Sequence, residues 1–248
     1  MEILRKNWSR LFNYNWKFGV FLILLFGVPR FIFVLSANSG SDYRLVSILF
    51  ILMWVTPFLL LSKEGRNYIG IRKPKSAIPV MYSFIAGFIL CAITFALFAM
   101  LGGGTINNAF VYISQSYNLP KELLASNKTS YFIMFALVSM TFSPIGEELL
   151  YRGVIHGSFV KQFGEIKASI FDSLAFALTH IAHFGLVYVY YVGWKFLPLP
   201  SFMWILSMFF ASLLFFACKQ YSQSIFGAIS AHAGYNFGMI YFIFYFIF

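Results

Sequence analysis

Two adjacent carboxylates, Glu147 and Glu148, close an otherwise apolar run at residues 143–152, Ser-Pro-Ile-Gly-Glu-Glu-Leu-Leu-Tyr-Arg. An ionised side chain in or near hydrocarbon is costly, so it is paired, faces a wet cavity, or does chemistry. In a helix the two glutamates point about 100° apart and cannot share one task. Glu148 and Arg152 stand at i and i+4 and can pair at the membrane surface. Glu147 has no counter-ion nearby in the sequence, which makes it the working group of choice. Two further patterns place polar groups inside apolar helices: Phe176-Ala-Leu-Thr-His180 sets an imidazole one turn beyond an aromatic ring, and His232-Ala-Gly-Tyr-Asn236 puts His and Asn on one helix face. A carboxylate, two imidazoles and an amide are the groups needed for acid–base work or for ligating a metal.

The elements that must position these groups are membrane helices. The chain has 248 residues, of which 60% are hydrophobic and only 10% charged, against roughly a quarter charged in soluble domains. Its net charge of +10 is read as topology and not as a nucleic-acid surface, because most Lys and Arg lie in short stretches between apolar runs. The expected architecture is all-α: a polytopic integral membrane helical bundle of seven or eight transmembrane helices forming one membrane domain over residues 1–248. Spans are expected at about residues 18–35, 45–61, 77–101, from 131, 201–217 and from 225 onward. Pro29 should kink the first, where Arg30 snorkels toward an interface. The stretch 102–130 is mixed enough for a loop or a surface helix. The apolar region 168–192 can be one long span or two short ones. With one span there, 13 of the 18 basic residues fall on one side against four on the other, which sets the N-terminus on the cytoplasmic face of what is expected to be the cell membrane. The first apolar run, about 18 residues long, exceeds a signal-peptide core and is followed by further spans.

The same helices give a depth check. At about 1.5 Å per residue, Glu147 lies roughly 6 Å, His232 roughly 12 Å and His180 roughly 18 Å from the cytoplasmic boundary, compatible with one pocket. Taken singly, each histidine reads as a satisfied core residue; jointly with Glu147 they favour a site. His156 and His183 are expected outside it. Asp172 shares a face with Phe176 and His180 and is expected to cap the wet mouth of its helix. Cys91 and Cys218 read as buried small hydrophobes. Gly227, Gly234 and Gly238 in the last helix read as close-packing positions. Gly102 to Gly104 lacks the context of a phosphate loop.

Glu-Glu-x-x-x-Arg at Glu147, Glu148 and Arg152, Phe-x-x-x-His at Phe176 and His180, and His-x-x-x-Asn at His232 and Asn236 together resemble the CPBP family, the type 2 CAAX prenyl proteases and bacteriocin-processing (Abi) intramembrane proteases. The likeness covers a protease-like core at about residues 131–237. It implies an integral membrane endopeptidase that processes CAAX-type or leader and bacteriocin-type peptides. By that likeness Glu147 with His180 holds and deprotonates a water, and His232 and Asn236 donate to the oxyanion. Glu148 with Arg152 braces the helix or helps set the charge of Glu147, and Phe176 supports the histidine. The implied partners are membrane lipid and a peptide or lipidated protein substrate, with no nucleic acid. Family members usually have about eight spans. No cofactor is expected; a zinc-type site on Glu147, His180 and His232 is the alternative, although no His-Glu-x-x-His spacing occurs. Two non-proteolytic alternatives are a membrane immunity or scaffold protein with a structural polar cluster, and a transporter. The second is opposed by the absence of paired inverted halves.

Overall fold

The computed structural model describes residues 2–40 and 42–248, with nothing said of the side chains of Lys121 and Leu123. In chain order the helices are α1 (Lys6–Ser9), α2 (Trp16–Gly40), α3 (Arg44–Leu60), α4 (Lys63–Tyr68), α5 (Ile78–Gly102), α6 (Ala109–Gln115) and α7 (Lys121–Glu147). A π-helical turn (Glu148–Ile155) joins α7 to α8 (His156–Thr179), and a hairpin of β1 (Leu186–Val189) and β2 (Gly193–Phe196) leads to α9 (Pro198–Ser222) and α10 (Ile225–Phe242).

Among the described residues four helical stretches are long and apolar enough to cross a membrane, Trp16–Gly40, Ile78–Gly102, Leu124–Ala182 and Pro198–Ser222, and Arg44–Leu60 is apolar but shorter. Their packing is that of a membrane bundle. On α5 the inward face carries Ser83, Gly87, Cys91 and Thr94, while Ile85, Ile89 and Ile93 stand exposed on the outer face. Lipid provides no hydrophobic drive between helices, so small residues inside and large ones outside are the stable arrangement. The α5–α10 contact is the tightest case: a Cβ at Gly87 would run into the Ala231 carbonyl, and one at Gly234 into the Phe84 carbonyl. Cys91 and Cys218 are free and buried, as expected.

Three regions depart from the sequence reading. Residues 168–192 hold the end of one helix only. After His180 a short 3-10 turn gives way to the antiparallel hairpin, paired from Leu186 with Phe196 to Val189 with Gly193. The run Leu-Val-Tyr-Val-Tyr-Tyr-Val is apolar but rich in β-branched and aromatic residues, and the chain reverses through positive φ at Tyr191 and Gly193. The 102–130 stretch holds α6, which is not a surface helix: Ala109, Phe110, Tyr112 and Ser114 are all buried. Finally, α7 starts ten residues before Tyr131, and α8 is broken at Gly164, whose φ of +74° only glycine adopts without strain.

Candidate active site

Glu147 is the last residue of α7, immediately before the π-helical turn. Pro144 lies inside the last turn of α7, where its ring removes a backbone donor and loosens the ladder before it. π-Turns of this kind are rare and tend to occur at functional positions. Glu147 is 1% exposed, and its counter-ion is Arg30 of α2, whose Nη2 lies 2.7 Å from Glu147 Oε1. Glu147 has no local counter-ion, as the sequence reading held, but it has this distant one. Arg30 does not snorkel; it is 1% exposed and points inward.

The guanidinium organises the site. Nη1 donates to Thr179 Oγ1 at 2.9 Å, and Nη2 reaches His180 Nε2 at 3.1 Å and His183 Nε2 at 3.3 Å. Arginine only donates, so both imidazole Nε2 atoms must be acceptors. His180 accordingly carries its proton on Nδ1, which donates to the Phe176 carbonyl at 2.7 Å. That bond is what the Phe-x-x-x-His spacing provides, since i and i+4 lie one turn apart. The Phe176 and His180 ring centroids are 4.2 Å apart, and Trp204 Nε1 donates to the His180 carbonyl at 3.0 Å. The Arg30–Glu147 contact is an ion pair set off the Nη2 N–H axes, which leaves Glu147 Oε1 without a hydrogen bond among the described residues, and Arg30 Nε has none either.

His232 of α10 joins the two carboxylates. Its Nδ1 donates to Glu148 Oε1 at 2.7 Å, and its Nε2 lies 3.8 Å from Glu147 Oε2. Glu148 is also paired with Arg152, Nε to Oε2 at 3.2 Å. This pair forms at the expected spacing but not at the membrane surface: both side chains are 0% exposed. Arg152 is held between two rings, 4.2 Å from the Phe176 centroid and 5.3 Å from that of Phe215, and Phe215 stacks on His232 at 4.7 Å. Asn236 donates its amide to the Ser139 carbonyl at 2.9 Å and to Ser143 Oγ at 3.1 Å, tying α10 to α7.

All of Arg30, Glu147, His180, His183, His232 and Asn236 line one cavity of about 520 Å³, whose remaining wall is largely apolar, from Phe135 and Val138 to Met208 and Ile240. His183, expected outside, is therefore part of the site. Only His156 lies elsewhere, between Asp172 Oδ2 at 2.7 Å and Glu165 Oε2 at 2.9 Å. Asp172 caps no wet mouth: it is 0% exposed and closed onto His156. Among the described residues no three His, Cys, Asp or Glu side chains converge on a metal-sized point. The lone pair that His180 would offer a metal accepts from Arg30 instead.

A walled cavity lined by a carboxylate and three histidines inside a membrane bundle holds the groups that hydrolysis needs. Residues 129–238 match the family described as type II CAAX prenyl endopeptidase Rce1-like. That segment is similar to the Rce1-like family. The match supports a membrane protease, and it contains Glu147, His180, His183, His232 and Asn236 while leaving out Arg30. No curated protein and no solved structure matches this chain. Arg30 and His183 are what sequence reasoning missed. The signal for Arg30 was present: a charge inside a span is a functional position by default, and beside Pro29 it was read as an interface residue instead. His183 follows His180 by three residues, one 3-10 turn, and so shares its face.

Proposed function

We propose that the protein is an integral membrane endopeptidase in which Glu147 is the general base for a water that attacks the scissile carbonyl. The observation that carries this reading is the position of Glu147 on the cavity wall, 3.8 Å from His232 and ion-paired to an arginine that also holds His180 and His183. The carboxylate takes one proton from the water, the oxygen bonds to the carbonyl carbon, and the carbonyl π pair moves onto oxygen. Collapse of that intermediate breaks the C–N bond, and Glu147 returns its proton to the departing amine. His180, with both ring nitrogens engaged, holds the Arg30 guanidinium beside Glu147. Glu148 and Arg152 hold His232 from behind, as the partners of a working histidine do.

The reaction as written uses no metal ion. Its support is electrostatic: the Arg30 cation lies against Glu147 and His180, where a divalent ion on those ligands would meet like charge. The apolar wall of the cavity suits a peptide of hydrophobic sequence or one that carries a lipid near the cleaved bond, in line with the CAAX-type or leader-type substrates of the resemblance. The protein is read as multi-pass, with its N-terminus on the cytoplasmic side and the catalytic core at residues 131–237 of a single domain.

The test is mass spectrometry of lipidated and unlipidated apolar peptides incubated with the purified protein in detergent, with and without chelator, beside Glu147→Ala. Cleavage by the wild type in both conditions, absent from a folded Glu147→Ala, is the expected result. Cleavage abolished by chelator and restored by zinc would replace the glutamate mechanism with a metal one.

A further inference from the structure

We propose that Arg30, besides pairing with Glu147, is a catalytic residue that donates to the oxyanion formed when water adds to the scissile carbonyl. The inference rests on the hydrolytic reading above and follows from a count of the N–H groups at the cavity wall. Asn236 has two amide hydrogens, and both are used on α7, one on the Ser139 carbonyl and one on Ser143 Oγ. The Nδ1 proton of His232 is used on Glu148, and its Nε2 carries a hydrogen only when the ring is an imidazolium. The Nδ1 proton of His180 is used on the Phe176 carbonyl, and its Nε2, like that of His183, accepts from Arg30. The family-like assignment of the oxyanion to His232 and Asn236 therefore finds its donors already engaged.

Arg30 differs. It has five N–H groups in a planar fork. Three hydrogen bonds account for its use of them, to Thr179, His180 and His183, and Nε–H is buried with no hydrogen-bond partner among the described residues. It lines the cavity beside Glu147, and its charge, 1% exposed, is fully desolvated. Donors that are pre-aimed in a dry site need no reorganisation when charge develops, which is the condition for strong transition-state stabilisation.

The charge movement in the reaction fits this placement. Before attack the negative charge is on Glu147, 2.7 Å from Arg30 Nη2. Proton transfer from water neutralises that carboxylate, and the charge reappears on the carbonyl oxygen. A guanidinium beside both positions is paired throughout, first with the carboxylate and then with the oxyanion. When the C–N bond breaks and Glu147 gives its proton to the amine, the charge returns to Glu147. Arg30 also comes from α2, so the site is completed by a helix outside the matched segment 129–238.

The experiment is a steady-state comparison of wild type, Arg30→Gln and Arg30→Lys across pH, on a peptide that the wild type cleaves, with thermal unfolding and gel filtration of each variant. The expected result for Arg30→Gln is a fall in plateau kcat of about 10²–10³-fold, with KM changed by no more than about threefold. Arg30→Lys keeps the charge without the fork and is expected to fall between the two. Added guanidinium ion should raise the plateau kcat of Arg30→Gln and leave the wild type unchanged. A residue that only keeps Glu147 charged would instead move the pH profile and leave the plateau intact. A plateau kcat for Arg30→Gln within about threefold of wild type overturns this inference alone. If Arg30→Gln does not fold, Arg30→Lys decides: an unchanged plateau in that variant also overturns it. A wild type that cleaves none of the peptides overturns it together with the hydrolytic reading.

Discussion

Two clusters in this molecule use the same chemistry to different ends. In one, His232 donates to Glu148 at 2.7 Å; in the other, His156 meets Asp172 at the same 2.7 Å. Both pairs are buried, and both have a second carboxylate on the other ring nitrogen, Glu147 for His232 and Glu165 for His156. The difference lies in what the second carboxylate faces. Glu165 is 55% exposed, and its Oε2 takes both His156 and the Gln220 amide, so its lone pairs go to protein and bulk water. Glu147 is sealed from bulk, lines a cavity, and leaves an oxygen without a hydrogen bond. Asp172 Oδ1 is also buried without a hydrogen bond among the described residues, so what makes one His–carboxylate pair a site is the substrate-sized space beside it. Residue type alone does not separate the two, and a sequence reader who looked only for His near Asp or Glu would find the wrong cluster as readily as the right one.

That contrast can be broken by mutation. The largest effect after Glu147 itself is expected at His180: replacing it with Ala should lower kcat by about 10²–10⁴-fold, because it removes a fixed ring beside the base. Kinetics on any peptide cleaved by the wild type will check this, and a loss below tenfold would place His180 among structural histidines. A smaller effect is expected for Asn236→Ala, which frees α10 from α7 without removing an engaged catalytic donor; misplacement of the site should lower kcat by no more than about 10²-fold. The smallest effect on activity belongs to the other cluster. His156→Ala leaves Asp172 buried without its partner and should cost about 3–5 kcal/mol of stability, read as an earlier unfolding transition in detergent. Its kcat, measured well below that transition, should match wild type. If His156→Ala were instead inactive and stable, the two clusters would not be functionally distinct.

Much of the site was legible because its three motifs are local. Phe176 and His180 share a turn, so the i,i+4 spacing placed the imidazole next to the ring, and the structure adds the Nδ1 hydrogen bond to the Phe176 carbonyl. Glu148 and Arg152 were paired correctly for the same reason, although their burial was not foreseen. What sequence could not supply was long-range pairing. Arg30 meets Thr179 across 149 residues, and periodicity in either helix says nothing about which distant carboxylate a charge will find. The helices were legible from their apolar length. The hairpin at 186–196 was not, because an apolar run at the end of a span looks like more span until its β-branched and aromatic content is weighed against length. The burial of α6 was hidden in the same way: its apolar positions are too few to show a period, and the rings that cover them are distant in sequence, Phe95 against Phe110 and Phe184 against Tyr112.

The central claim is that a single carboxylate, that of Glu147, moves the proton of the attacking water. Glu147→Gln tests it most directly, since the amide keeps the shape of the side chain and its contact with Arg30 while losing the base. The account predicts that single-turnover cleavage by Glu147→Gln falls by at least about 10²-fold, with the unfolding transition and substrate affinity close to wild type. A folded Glu147→Gln that cleaves within about threefold of the wild-type rate would contradict it.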